Sequence, residues 1–173
     1  MLYPSLKGVK ITVIVTQLEK PYITVYFSGT IEFQTSGTVT KLVLEHQSGF
    51  VGCRNNGVTG FWGGCAGQRP LNVWITEDKA FPGTSRPSNL AADIIFPRPN
   101  VLATATNRGF YEMGTFSDSD TEIEFLVDGA FINISAGTKY RIWYGEDLFN
   151  RAQGGNQGTH CVKVFASYFN DLD

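Results

Sequence analysis

Apolar and polar residues alternate with a period of two along most of this chain, the signature of half-buried β-strands. In Lys10 to Thr16, Ile11, Val13 and Val15 share one face, and Lys10, Thr12 and Thr16 share the other. Ile23, Val25 and Phe27 fall together in Tyr22 to Ser28, and Leu42 and Leu44 turn inward in Thr40 to Glu45. Leu71, Val73 and Ile75 oppose Asn72, Trp74 and Thr76. Ile123, Phe125 and Val127 point inward, with Glu122 and Glu124 outward. Tyr140, Ile142 and Tyr144 share a face, which puts Lys139, Arg141 and Trp143 on the opposite one. Val162, Val164, Ala166 and Tyr168 align across His160 to Phe169. Ion pairs between Lys139 or Arg141 and Glu122 or Glu124 are expected across neighbouring strands.

Turn dipeptides punctuate the strands: Ser36-Gly37, Ser48-Gly49, Asn56-Gly57, Pro82-Gly83, Asp128-Gly129 and Ala136-Gly137. Helical patterning is confined to one short turn at Ser88 to Asp93, bounded by Pro87, Pro97 and Pro99. Many short strands at close spacing predict an all-β, antiparallel fold, a β-sandwich of jelly-roll-like type. No linker or repeat interrupts the pattern, so residues 1–173 are read as one domain.

Charged residues make up only 17% of the chain, so its surface relies on neutral polar groups, as secreted β-domains often do. The net charge is -2, and the 14 Lys and Arg residues are scattered, which argues against nucleic-acid binding. No apolar run approaches the ~18 residues of a membrane-spanning helix. The start, Met1-Leu2-Tyr3-Pro4, lacks the basic end and apolar centre of a secretory leader. It is the start either of an intracellular protein or, the favoured reading, of a mature extracellular chain to which a Met has been added.

Three cysteines bear on the compartment. Cys53 and Cys65 bracket a Gly/Asn-rich stretch, and a disulfide between them would stabilise it by roughly 2–4 kcal/mol. The competing reading is three buried thiols, and Cys161 leaves the count odd. Asn133-Ile134-Ser135 is an N-glycosylation triplet, with Asn133 the acceptor.

Catalytic patterns are scarce. His46 and His160 are the only histidines, and no nucleophile sits in a recognisable setting, so an enzyme is not expected. Asp118 and Asp120 have the oxygen density of a calcium loop without its full spacing. The alternative there is a polar turn bonded to its own backbone, and no other cofactor is expected. Trp62 reads as a plug in the core.

The stretch from Gly145 to Thr159 carries acids, amides, an arginine and four glycines between two strands. Sugar recognition needs planar donors and acceptors together with an aromatic face against the apolar side of the ring. Trp143, Glu146, Asp147, Asn150, Arg151, Asn156 and His160 are therefore the candidate ligand-binding residues. The competing reading is an Ω-loop that satisfies its own backbone.

Two groups of segments also form a pattern. Val51-Gly52-Cys53, Phe61-Trp62-Gly63-Gly64-Cys65 and Asn72-Val73-Trp74-Ile75-Thr76 are one half. Tyr140 through Leu148 and Asn156 through Cys161 are the other. Together they resemble a poorly characterised, cysteine-containing β-rich module of extracellular proteins in marine invertebrates, from about Lys41 onward. Lys163 departs from that pattern by standing where an acid is expected. The resemblance implies an extracellular location and a non-catalytic role. The leading expectation is a secreted carbohydrate- or matrix-binding domain, lectin-like, whose partner is a glycan or matrix component. The alternative is a self-assembling structural or adhesion module, a homo-oligomer built on outward apolar residues such as Ile14, Tyr26 and Phe165.

Overall fold

The computed structural model describes residues 11–15, 28–53, 60–63, 71–78, 94–96, 109–114, 116–126, 132–149 and 156–169. The described strands are β1 (Ile11–Val15), β2 (Ser28–Glu32), β3 (Gly37–Cys53), β4 (Val73–Glu77) and β5 (Ile94–Phe96). They continue with β6 (Glu122–Leu126), β7 (Ile132–Ile134), β8 (Lys139–Tyr144) and β9 (Asn156–Phe169). One helical turn, α1 (Gly145–Leu148), follows β8.

Every described pairing is antiparallel, and the strands form two sheets. The first runs β1-β9-β3-β6, with β7 also paired to β3, and the second runs β2-β8-β4-β5. The expected antiparallel β-sandwich is what the chain forms. The segment Tyr22 to Phe27 and the turn at Ser88 to Asp93 lie outside the described residues.

The alternation explains the core. Leu42, Leu44, Ile123, Phe125, Val162 and Val164 from the first sheet are buried against Ile31, Ile75, Tyr140 and Ile142 from the second. Phe96 of β5 meets Phe125 of β6 across the sheets at 5.4 Å between ring centres. Burial of such faces is the main favourable term in folding.

The second sheet departs from simple alternation, because β4 is buried on both faces from Val73 to Thr76. Val73 and Ile75 share a face with Tyr144 and Ile142, their register partners. Trp74 and Trp143 are partners on the other face. That outer face is covered by Tyr111 and Phe149, whose rings meet Trp74 edge-on at 5.1 and 5.0 Å.

The ion pairs expected between Lys139 or Arg141 and Glu122 or Glu124 do not form. Lys139 reaches Glu32 and Arg141 reaches Asp78, while Glu124 pairs with Lys41. The reason is topological: β6 belongs to the first sheet and β8 to the second, so their outward residues face away from each other.

Candidate functional site

One end of the sandwich gathers most of the chemistry singled out in the sequence. Its frame is the segment 60–63, the start of β4, the turn 117–120 and α1. Asn72 joins two of these through its backbone. Its N–H donates to the Trp62 carbonyl at 2.9 Å, and its own carbonyl accepts from Gly145 N–H at 2.8 Å. The Asn72 side-chain amide is fully buried and meets no hydrogen-bond partner among the described residues. Three glycines make room for this packing. A Cβ on Gly145 would overlap Asn72 Oδ1, one on Gly109 would press on Asn72 and Phe149, and one on Gly63 would strike the Tyr144 ring. Gly63 also adopts φ +83, a left-handed conformation that favours glycine. Tyr144 closes the arrangement by donating its hydroxyl to the Gly63 carbonyl at 2.9 Å.

This frame fixes the base of the Gly145 to Thr159 stretch. Phe149 N–H closes the helical turn on the Gly145 carbonyl at 3.0 Å. Leu148 and Phe149 are buried beneath it. Glu146 and Asp147 lie in α1, between those anchors. At the far end Asn156 opens β9, opposite Cys53 in the register. Asn150 and Arg151 lie outside the described residues.

Two of the sequence candidates are not available as expected. Trp143 does lie on the face away from Tyr140, but it is only 2% exposed. Its indole N–H donates to Thr76 Oγ1 at 2.8 Å, and the Arg141 guanidinium sits 5.7 Å from its ring centre. With so little of its surface exposed, Trp143 offers no ring to a sugar. His160 is 4% exposed and points between the sheets, on the same side as Val162 and Val164. It is a buried partner of His46 rather than a loop residue open to ligand.

The histidine pair is the feature the sequence reading missed. His46 Nδ1 and His160 Nε2 lie 2.9 Å apart, so one donates to the other. The two strands pair with a shift between His46 and Ser48, which carries one extra residue, Gln47. Gly49 stands opposite His160 and brings no side chain, so His46 reaches across diagonally. Phe61 stacks on His46 at 3.7 Å, and Trp62 meets His160 at 4.9 Å edge-on. Burial, and then the neighbouring His46, hold the His160 pKa down at about 3. Burial lowers His46 as well. Both rings therefore stay neutral at neutral pH. The signal was in the strand parity: His46 follows Leu42 and Leu44, and His160 precedes Val162 and Val164.

Trp62 is the plug expected of it, almost wholly buried, with its indole N–H on the Asp120 carbonyl at 2.6 Å. Asp118 and Asp120 sit in a turn that bonds to itself. Asp120 Oδ2 accepts Ser117 N–H at 2.7 Å, and Asp118 Oδ1 accepts Ser119 Oγ–H at 3.1 Å. The Asp118 carbonyl accepts from Phe61 N–H at 2.6 Å, so the turn braces the segment 60–63. Among the described residues, no group of three or more His, Cys, Asp or Glu side chains converges on a point.

Cys53 lies at the end of β3, and Cys65 lies outside the described residues. Cys161 carries a free, half-buried thiol. Asn133 is exposed on β7. Of the outward apolar residues, Phe165 is half-buried, and Tyr26 lies outside the described residues.

The architecture is similar to that of AJLec from the sea anemone Anthopleura japonica, with a TM-score of 0.61. The likeness covers 95% of each chain at 22% sequence identity. No protein-family model matches the chain, and no curated protein matches it. The likeness establishes a shared β-sandwich fold with a marine invertebrate protein.

Proposed function

We propose that this chain is an extracellular, non-catalytic carbohydrate-binding domain that takes its ligand at the Gly145 to Thr159 end of the sandwich. The observation that carries the reading is the rigid base of that loop. Gly145 is pinned to Asn72, and Leu148 and Phe149 are buried, so the backbone at the start of the loop is anchored. A loop anchored at its base has less entropy to lose when it closes on a sugar. The similarity to AJLec, whose name marks it as a lectin, supports the same reading.

Glu146, Asp147, Asn150, Arg151 and Asn156 are proposed to hold ligand hydroxyls through their planar donors and acceptors. With Trp143 covered, the aromatic face falls to Phe61, which is half-buried beside His160. A calcium ion at Asp118 and Asp120 is a separate proposal that the same assay addresses.

The test is a glycan array run with and without calcium. Binding to at least one glycan class is expected, and Arg151→Ala with Asn156→Ala should reduce it at least tenfold without changing the far-ultraviolet circular dichroism. Absence of binding to every glycan under both conditions refutes the proposal.

A further inference from the structure

Asn133 stands in the middle of β7, exposed, between Ile132 and Ile134, which pack into the core. In the register Asn133 faces Thr38 on β3, and Thr38 faces Phe169 on β9. Residues opposite one another in an antiparallel pair send their side chains to the same face. Asn133, Thr38 and Phe169 therefore form one row across the outer face of the first sheet.

Two details of that row point to an occupant. Thr38 Oγ1 donates to Asn133 Oδ1 at 2.8 Å. That bond uses the amide oxygen, and Nδ2 lies on the other side of the planar group. Phe169 is 52% exposed, and only Leu126 matches it among the large apolar side chains of the described residues. Ser135, the third residue of the acceptor triplet, is also exposed.

We infer that Asn133 carries an N-linked oligosaccharide whose first sugars lie over the Phe169 ring. The inference rests on the extracellular part of the reading above and not on ligand binding. In the modification, Asn133 Nδ2 attacks C1 of the first sugar of an oligosaccharide joined to a lipid pyrophosphate. The N–C1 bond forms, Nδ2 gives up one proton, and the C1–O bond breaks with its electron pair leaving on the lipid pyrophosphate. Oδ1 remains an acceptor afterwards, so the bond from Thr38 survives and keeps the linkage oriented.

Neighbouring strands lie ~4.8 Å apart, so the backbones of Asn133 and Phe169 are separated by ~10 Å. The first two sugars of a glycan laid along the row span that distance. Their apolar ring faces suit an aromatic surface. Covalent attachment on the same row supplies a high effective concentration, which favours the glycan over a second copy of the chain on the exposed part of Phe169.

The experiment secretes the full chain from eukaryotic cells behind a cleavable leader. The secreted wild type should gain the mass of a glycan at Asn133, and Ser135→Ala, which leaves Asn133 and its bond from Thr38 in place, should not. The glycosylated protein should melt about 3 °C above Ser135→Ala, an increment of the size that ~1 kcal/mol produces in a chain of this length. Phe169→Leu keeps apolar bulk without a ring face and should abolish that increment. A folded, secreted wild type bearing no sugar at Asn133 overturns the site. An increment that persists in Phe169→Leu overturns the stacking. Dimerisation of Ser135→Ala that Phe169→Leu removes, read by light scattering, assigns the ring to a second copy and also overturns it. None of these outcomes depends on the glycan array.

Discussion

Lowering the pH from about 7.5 to about 5 protonates a histidine in the unfolded chain that stays neutral in the folded one. That residue is His160, buried between the sheets, with its Nε2 2.9 Å from His46 Nδ1. Its folded pKa is about 3, against an ordinary value of 6.5. A base whose pKa is depressed by folding contributes its full stability above the unfolded pKa. It loses that contribution as the pH falls toward the folded value, here from 6.5 down to about 3. At about pH 5 the unfolded side chain lies ~1.5 pH units below its pKa and the folded one has barely begun to titrate, so the loss is ~2 kcal/mol.

His46 can take the first proton and still donate to His160, but a second proton would set two N–H groups against each other. Its own pKa is lowered by burial, so it acts in the same direction. The assay is urea denaturation at a series of pH values, on the wild type and on His160→Phe, which keeps a ring between Trp62 and His46. The variant should begin ~1 kcal/mol weaker at neutral pH, since His46 loses its partner. It should close the gap at about pH 6 and be ~1 kcal/mol the more stable by about pH 5, because it has no proton to take up at that position. Parallel pH profiles for the two proteins would refute the reasoning. So would an imidazole of His160 titrating near its ordinary value in the folded protein by NMR.

The frame makes further predictions. Gly145→Ala should cost ~3 kcal/mol in chemical denaturation, because its methyl would displace a wedged Asn72 amide. The same variant should weaken glycan binding by loosening the base of the loop. Trp143→Phe should cost ~1 kcal/mol, from the bond lost at Thr76, and leave array binding unchanged. Altered glycan selectivity in Trp143→Phe would restore that residue to the site.

Strand faces were legible in the sequence, because the side-chain period of a strand is fixed at two. Leu42, Leu44, Ile123 and Phe125 point where the alternation puts them. What alternation does not encode is which strands are neighbours. Glu122 and Glu124 were placed outward correctly, yet Lys139 and Arg141 belong to the other sheet. Trp143 was placed on the correct face, but its burial was not foreseen: its indole bonds Thr76 on β4, and its neighbour Trp74 is covered by Tyr111, which is distant in sequence. The histidine pair needed both kinds of information. Parity turns both rings inward, and only the register between strands over a hundred residues apart makes them meet.

That register also governs when the molecule can fold. β9 is the last of the described strands to be synthesised, yet it lies between β1 and β3. Its pairing with β3 runs from Thr38 opposite Phe169 to Cys53 opposite Asn156. A nascent chain lacking β9 would present β1 and the long inner edge of β3 unpaired, as templates for wrong strands. Closure of the first sheet therefore waits for β9, and sequence-distant pairing of this kind slows folding. Until β9 is in place the first sheet stands open between β1 and β3, and removal of β9 should leave aggregate rather than a smaller folded domain.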